Sequence, residues 1–113
     1  MLTIDALRAY GADVEDGLKR CLDNEAFYLR LVNTVIPDTK VGELSAAIAD
    51  GDLDKAFELA HALKGMYGNL SLTPLSGPVS EITELLRSRT VTDYGPLMET
   101  ILSRKAELEE LAK

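Results

Sequence analysis

Apolar positions along the chain recur three and four residues apart, and Gly, Pro, Asx and Thr residues cut that pattern into helical lengths. Thr3 is placed to cap a short helix ending at Gly11, and Asp13 to start a second running to about Leu22. Asn24 caps a longer segment in which Phe27, Leu31, Val32, Val35 and Ile36 keep helical spacing up to Pro37, whose missing N–H stops a helix. Val41, Leu44, Ala47 and Ile48 share one side of a fourth segment ending at Gly51. Asp52 then opens a helix whose Leu53, Ala56, Phe57, Ala60, Leu63 and Tyr67 form a single apolar stripe.

The Ser71-Leu72-Thr73-Pro74 stretch breaks that helix, and Thr73 as cap with Pro74 as first helical residue opens the next. Gly77-Pro78 falls inside the new helix, which either begins near Ser76 with Pro78 in its first turn or is kinked at Pro78. Ile82, Leu85 and Leu86 resume the apolar face as far as Arg87. From Asp93 or Tyr94 a last helix runs through Leu97, Ile101, Leu108 and Leu111, with Lys105 and Glu109 on its wet side. No alternating strand pattern competes. The fold class predicted is all-α, an up-and-down antiparallel four-helix bundle with additional short helices at the N-terminus.

At 113 residues the chain fits one domain spanning 1–113. Aromatics are only 5% against 46% hydrophobic residues, so the core must rest on aliphatic side chains. A net charge of −7 supplies no field for phosphate backbones or anionic lipid, which argues against nucleic acid and membrane surfaces as partners. No apolar run approaches the roughly 18 residues of a membrane span, and no charged start with an apolar h-region indicates secretion. The leading Met and the full helix count favour a free-standing protein. Cys21 stands alone, which rules out an internal disulfide, fits a reducing cytoplasm, and reads as core packing.

Projected at about 100° per residue, His61, Lys64, Gly65 and Gly68 centre a quarter turn from the apolar stripe of their helix. His61, the chain's single histidine, therefore borders the core without entering it. Lys64 falls on the core side, so its stem must snorkel outward. Each interior glycine costs a helix about 1 kcal/mol relative to Ala. The compensation read here is clearance, at Gly65 for another protein's active site and at Gly68 for a neighbouring helix. An imidazole is a nitrogen nucleophile near neutral pH, and Lys64 one turn on can offset phosphoryl charge. Other schemes lack parts: one His and one Cys make no metal cluster, and neither a nucleophile elbow nor a Gly-rich phosphate loop is present. Glu107, Glu109 and Glu110 read as a solvated face. The chain is expected to hold no metal, bind no ATP and be no enzyme with turnover of its own.

The run Ala60-His61-Ala62-Leu63-Lys64-Gly65, with Gly68-Asn69-Leu70 and Leu75 after it, resembles the histidine-containing phosphotransfer (HPt) domain family. The likeness is strongest over about residues 56 to 75, and helix order and length agree over essentially the whole chain. It implies a four-helix bundle with an exposed histidine that takes a phosphoryl group from a receiver-domain aspartate and passes it to another receiver. By position His61 becomes the phosphorylated residue, Lys64 the nearby positive charge, Gly65 the small residue beside the imidazole, and Gly68 the small position one turn on. The implied partners are response-regulator receiver domains and a hybrid sensor histidine kinase, with no cofactor in this chain and Mg²⁺ in the receiver. A cytoplasmic monomer is expected.

Ser71 stands where the family often has Gly, and Gly77-Pro78 interrupts a helix that is regular in relatives. Family members often orient the imidazole with a polar residue, commonly Gln, on that helix; counting along it gives Thr83, with Glu84 as neighbour, against the plainer reading of Thr83 as a surface residue. Receivers tend to be acidic around their phosphorylation site, and so is this chain, so docking is expected to rest on local apolar contact and shape. The alternative function is a helical adaptor of the same fold that binds receiver-like or other signalling proteins without accepting phosphate.

Overall fold

The computed structural model describes residues 1–113 as α1 (Ile4–Tyr10), α2 (Val14–Arg20), α3 (Glu25–Val35), α4 (Lys40–Ala49), α5 (Leu53–Asn69), α6 (Thr73–Arg87) and α7 (Gly95–Leu111). Four caps expected from the sequence form. Thr3 accepts the Ala6 N–H at 3.0 Å and Asp13 that of Asp16 at 3.2 Å, while Asn24 and Asp52 take the N–H groups of Phe27 and Lys55 at 3.0 and 3.1 Å. Gly11 ends α1 with φ +106°, a left-handed geometry that glycine reaches without strain.

The bundle consists of α4 to α7. Helix α5 packs against α4 on one side and α6 on the other, and α7 lies against both α6 and α4, which closes the ring. Short turns join them, so neighbours run antiparallel. Leu44, Leu63, Tyr67, Leu75, Ile82, Leu86, Ile101 and Leu108 fill the centre, and each is fully buried. Cys21 is buried too, as the core reading had it. Tyr67 brings one polar atom into the centre, because its hydroxyl is buried without a hydrogen-bond partner. No helix is long and apolar enough to cross a membrane.

Two details of the bundle differ from the sequence reading. Helix α6 starts at Thr73 rather than after it, because the Thr73 hydroxyl donates to the Gly11 carbonyl at 2.7 Å instead of capping, and Leu72 occupies the cap position. It does not begin near Ser76; it runs through Pro78, which sits inside it. Pro78 has no N–H for the Pro74 carbonyl, a loss of about 3 kcal/mol in a helix interior. Burial of Leu75, Val79, Ile82 and Leu86 along one face offsets that loss. Lys105 is the second difference. It is buried, not wet, since position 105 lies between Ile101 and Leu108 on the buried stripe of α7, and its Nζ donates to the Asp38 carbonyl at 3.3 Å.

Helices α1 to α3 sit beside this ring. α1 lies against α7 and touches α2, which in turn contacts α3. Gly17 on α2 is where α3 comes closest: a Cβ there would fall 2.5 Å from the Tyr28 ring, so no other residue permits this approach without a shift. Tyr28 is buried, and its hydroxyl donates to the Leu70 carbonyl at 2.8 Å. The Asp13 N–H donates to the Ser71 carbonyl at 3.0 Å. Those bonds tie α2 and α3 to the turn between α5 and α6.

Candidate functional site

His61 lies in the middle of α5 with its side chain exposed, while Ala60 and Leu63 are fully buried. One turn earlier Phe57 faces it, with ring centroids 5.7 Å apart and ring planes inclined by 20°. At i,i+4 spacing the two side chains are neighbours on one face of the helix, and the rings stack. Two cations cover the same phenyl ring, the Arg87 and Arg89 guanidinium carbons lying 5.1 and 5.5 Å from its centroid. Arg89 is anchored by Asp54 at 2.6 Å.

Lys64 is half-exposed and its Nζ reaches Glu84 of α6 at 3.4 Å, so the stem does run outward from the core side. Arg87 Nε lies 3.2 Å from the other Glu84 oxygen. Arg87 first, then Lys64, holds the Glu84 carboxyl below the usual carboxylate range. Exposed pairs of this kind add little stability, but they set where a side chain points.

Thr83 is a correction. It is fully buried, and its hydroxyl donates to the Val79 carbonyl one turn back at 2.6 Å, so it is neither a surface residue nor a partner of the imidazole. Adjacent positions differ by about 100° around a helix. Glu84, one step on, is therefore turned outward and meets Lys64 on the α5 surface.

Beside the imidazole opens a depression of about 410 Å³ lined by Arg20, His61, Lys64, Gly65, Gly68 and Asn69. None of these side chains is apolar, so charge placement here is local and the net charge of −7 does not describe it. None is a carboxylate either, in a chain with 19 acidic residues. A Cβ at Gly65 or Gly68 would meet nothing within 4 Å. Gly65 is thus open to an incoming surface. Gly68 is open as well: no neighbouring helix packs within 4 Å of the place a Cβ would take, contrary to the close approach expected there.

Arg20 enters from α2, and no spacing argument links it to α5. Its Nε donates to Asp16 at 2.9 Å, and the Ser71 hydroxyl donates to the same carboxylate oxygen at 2.5 Å. Ser71 has φ +54°, in the region that favours glycine, so the family's frequent Gly at this position is replaced here by a residue that gives up conformational ease for a hydrogen bond. The Ser71 bond, then Arg20, holds the Asp16 carboxyl below its usual range.

The model of the Hpt domain family matches residues 38–113, the span that contains α4 to α7 and the exposed histidine. The chain belongs to the Hpt domain family. Its general role is histidine phosphotransfer in a phosphorelay, as a carrier that works with response-regulator receiver domains. Comparison with curated proteins and with solved structures returns no match. In this Hpt domain α1 to α3 precede the matched span, so Asp16 and Arg20 come from outside it. Nowhere in the Hpt domain do three His, Cys, Asp or Glu side chains converge in a way that could hold a metal ion. Phe57 was legible from its place four residues before His61, although it reads first as one more member of the apolar stripe.

Proposed function

We propose that this Hpt domain carries the phosphoryl group on His61, taking it from the aspartyl phosphate of one receiver domain and passing it to another. The observation supporting this is that the only histidine stands exposed at the rim of a hollow holding two cations, two glycines and no carboxylate. An imidazole nitrogen attacks phosphorus, the N–P bond forms as the P–O bond to the receiver's aspartate breaks, and the carboxylate leaves with the electron pair. Onward transfer reverses these steps on the second receiver. Lys64 offsets the charge of the bound group, Gly65 and Gly68 leave room for the receiver, and Phe57 holds the imidazole plane. Mg²⁺ belongs to the receiver, where it would neutralise charge between carboxylate and phosphate. The chain works as a single-domain cytoplasmic monomer downstream of a hybrid sensor histidine kinase.

The test is incubation with phosphorylated receiver domains of the source organism. Acid-labile, alkali-stable phosphate is expected on the wild type and none on His61→Ala. Equal labelling of both chains would overturn the proposal. Receiver binding that survives His61→Ala, with no phosphohistidine on the wild type, would make the chain an adaptor instead.

A further inference from the structure

We infer that Arg20 is the second cation that binds the phosphoryl group at His61, brought there by a helix outside the family's matched span. The inference rests on His61 as the phosphorylated residue. A phosphoryl group on imidazole carries close to two negative charges and three acceptor oxygens. Lys64 supplies one charge and is already engaged by Glu84 at 3.4 Å. Arg20 supplies another from α2, since both line the same hollow together with His61.

Its geometry suits the task. The Nε is committed to Asp16 at 2.9 Å, while Nη1 and Nη2 make no hydrogen bond within the chain. Two donors on a rigid planar fork are thus left over, the set that engages phosphate oxygens in bidentate fashion. The side chain is half-exposed and can turn toward the imidazole without leaving a buried position. Asp16 does more than balance charge. It is gripped by Ser71 in the turn directly after α5, so Ser71, Asp16 and Arg20 form a chain of contacts that references the guanidinium to the helix carrying His61.

Potassium phosphoramidate provides the test: a His61 nitrogen displaces ammonia from its phosphorus, the P–N bond to ammonia breaking as the bond to imidazole forms. Wild type, Arg20→Gln, Arg20→Lys and Asp16→Asn are loaded in this way, and the phosphohistidine is followed by ³¹P NMR as pH is varied. Arg20→Gln is expected to raise the pH at which the phosphoryl group takes up its proton and to shorten the phosphohistidine lifetime roughly three- to fivefold, the scale of an exposed charge pair. Arg20→Lys should restore part of the effect by charge alone, and Asp16→Asn should show a smaller loss through a loosened fork. If Arg20→Gln does not fold, the gap between wild type and Arg20→Lys carries the test. Titration and lifetime identical to wild type in the arginine variants would overturn the inference while leaving His61 phosphorylation standing. A wild type that takes no label at His61 from phosphoramidate or from any receiver would instead overturn the proposed function.

Discussion

Phe57 and His61 stack one turn apart on α5, centroids 5.7 Å apart and planes inclined by 20°. In this Hpt domain the ring beside the imidazole is an aromatic wall on the same helix, and Arg87 and Arg89 lie over that wall. Phe57→Ala should free the imidazole to rotate. Aromatic pairs contribute about 0.5–1.5 kcal/mol beyond burial, so the rate of His61 phosphorylation by a receiver is expected to fall roughly two- to tenfold. A time course against Phe57→Tyr, which keeps the ring, measures it; equal rates for the Ala variant would deny the stack any orienting part.

Gly65 separates stability from docking. With nothing within 4 Å of its absent Cβ, Gly65→Ala should fold normally and gain about 0.5–1 kcal/mol from reduced chain entropy. Transfer from a receiver should nonetheless slow, and Gly65→Glu should nearly abolish it by bulk and repulsion. Melting curves paired with transfer rates decide the matter. Unchanged transfer in folded Gly65→Glu would mean that no partner approaches there.

Thr83→Val should leave transfer at the wild-type rate. The hydroxyl lost is bonded to Val79 inside α6, the replacement has nearly the same shape, and the stability change should stay within about 1 kcal/mol. A clear drop in transfer with the fold intact would return Thr83 to the site.

Tyr67→Phe should stabilise the bundle by about 1–2 kcal/mol, because it removes a buried hydroxyl that has no partner. Burial also pushes the Tyr67 phenol above its ordinary range, so its charged form is disfavoured in the folded chain. Urea unfolding of the two chains tests this. A destabilised variant would show that the hydroxyl is satisfied in solution.

The clamp on α2 should be acid-sensitive. Asp16 is held below its ordinary pKa of 3.8, so its contribution is present above that value and is lost as pH falls through the lower folded-state value. Asp16→Asn should therefore melt below wild type at neutral pH, and the gap should close under acid conditions. Melting temperatures measured down to about pH 2.5 follow it. A gap that stays constant with pH would show that the carboxylate charge is not what holds Ser71 and Arg20 together.

Much of this molecule was legible because it is local. Caps at Thr3, Asp13, Asn24 and Asp52 act over three residues, and the stripe through Ala56, Ala60, Leu63 and Tyr67 follows from helical periodicity alone. The same periodicity put His61 outside the core and Lys64 at its edge. Where the pattern was thinner the reading slipped. A lone lysine between Ile101 and Leu108 looked solvated, yet an aliphatic stem with one carbonyl partner was enough to bury Lys105. At Pro78 the local penalty was visible but the apolar contacts that outweigh it were not.

By itself, then, the sequence determined the helices, their buried faces, and the position of one exposed imidazole with a lysine and small residues beside it, since each depends on neighbours within a turn or two. Only the tertiary structure decided what surrounds that imidazole. Arg20 reaches the hollow because Gly17 lets α2 lie against Tyr28 and because Ser71 grips Asp16. Glu84 rather than Thr83 meets Lys64 because packing turned Thr83 into the interior. Contacts between separate helices depend on how their surfaces fit together, and no spacing along one chain segment records that fit.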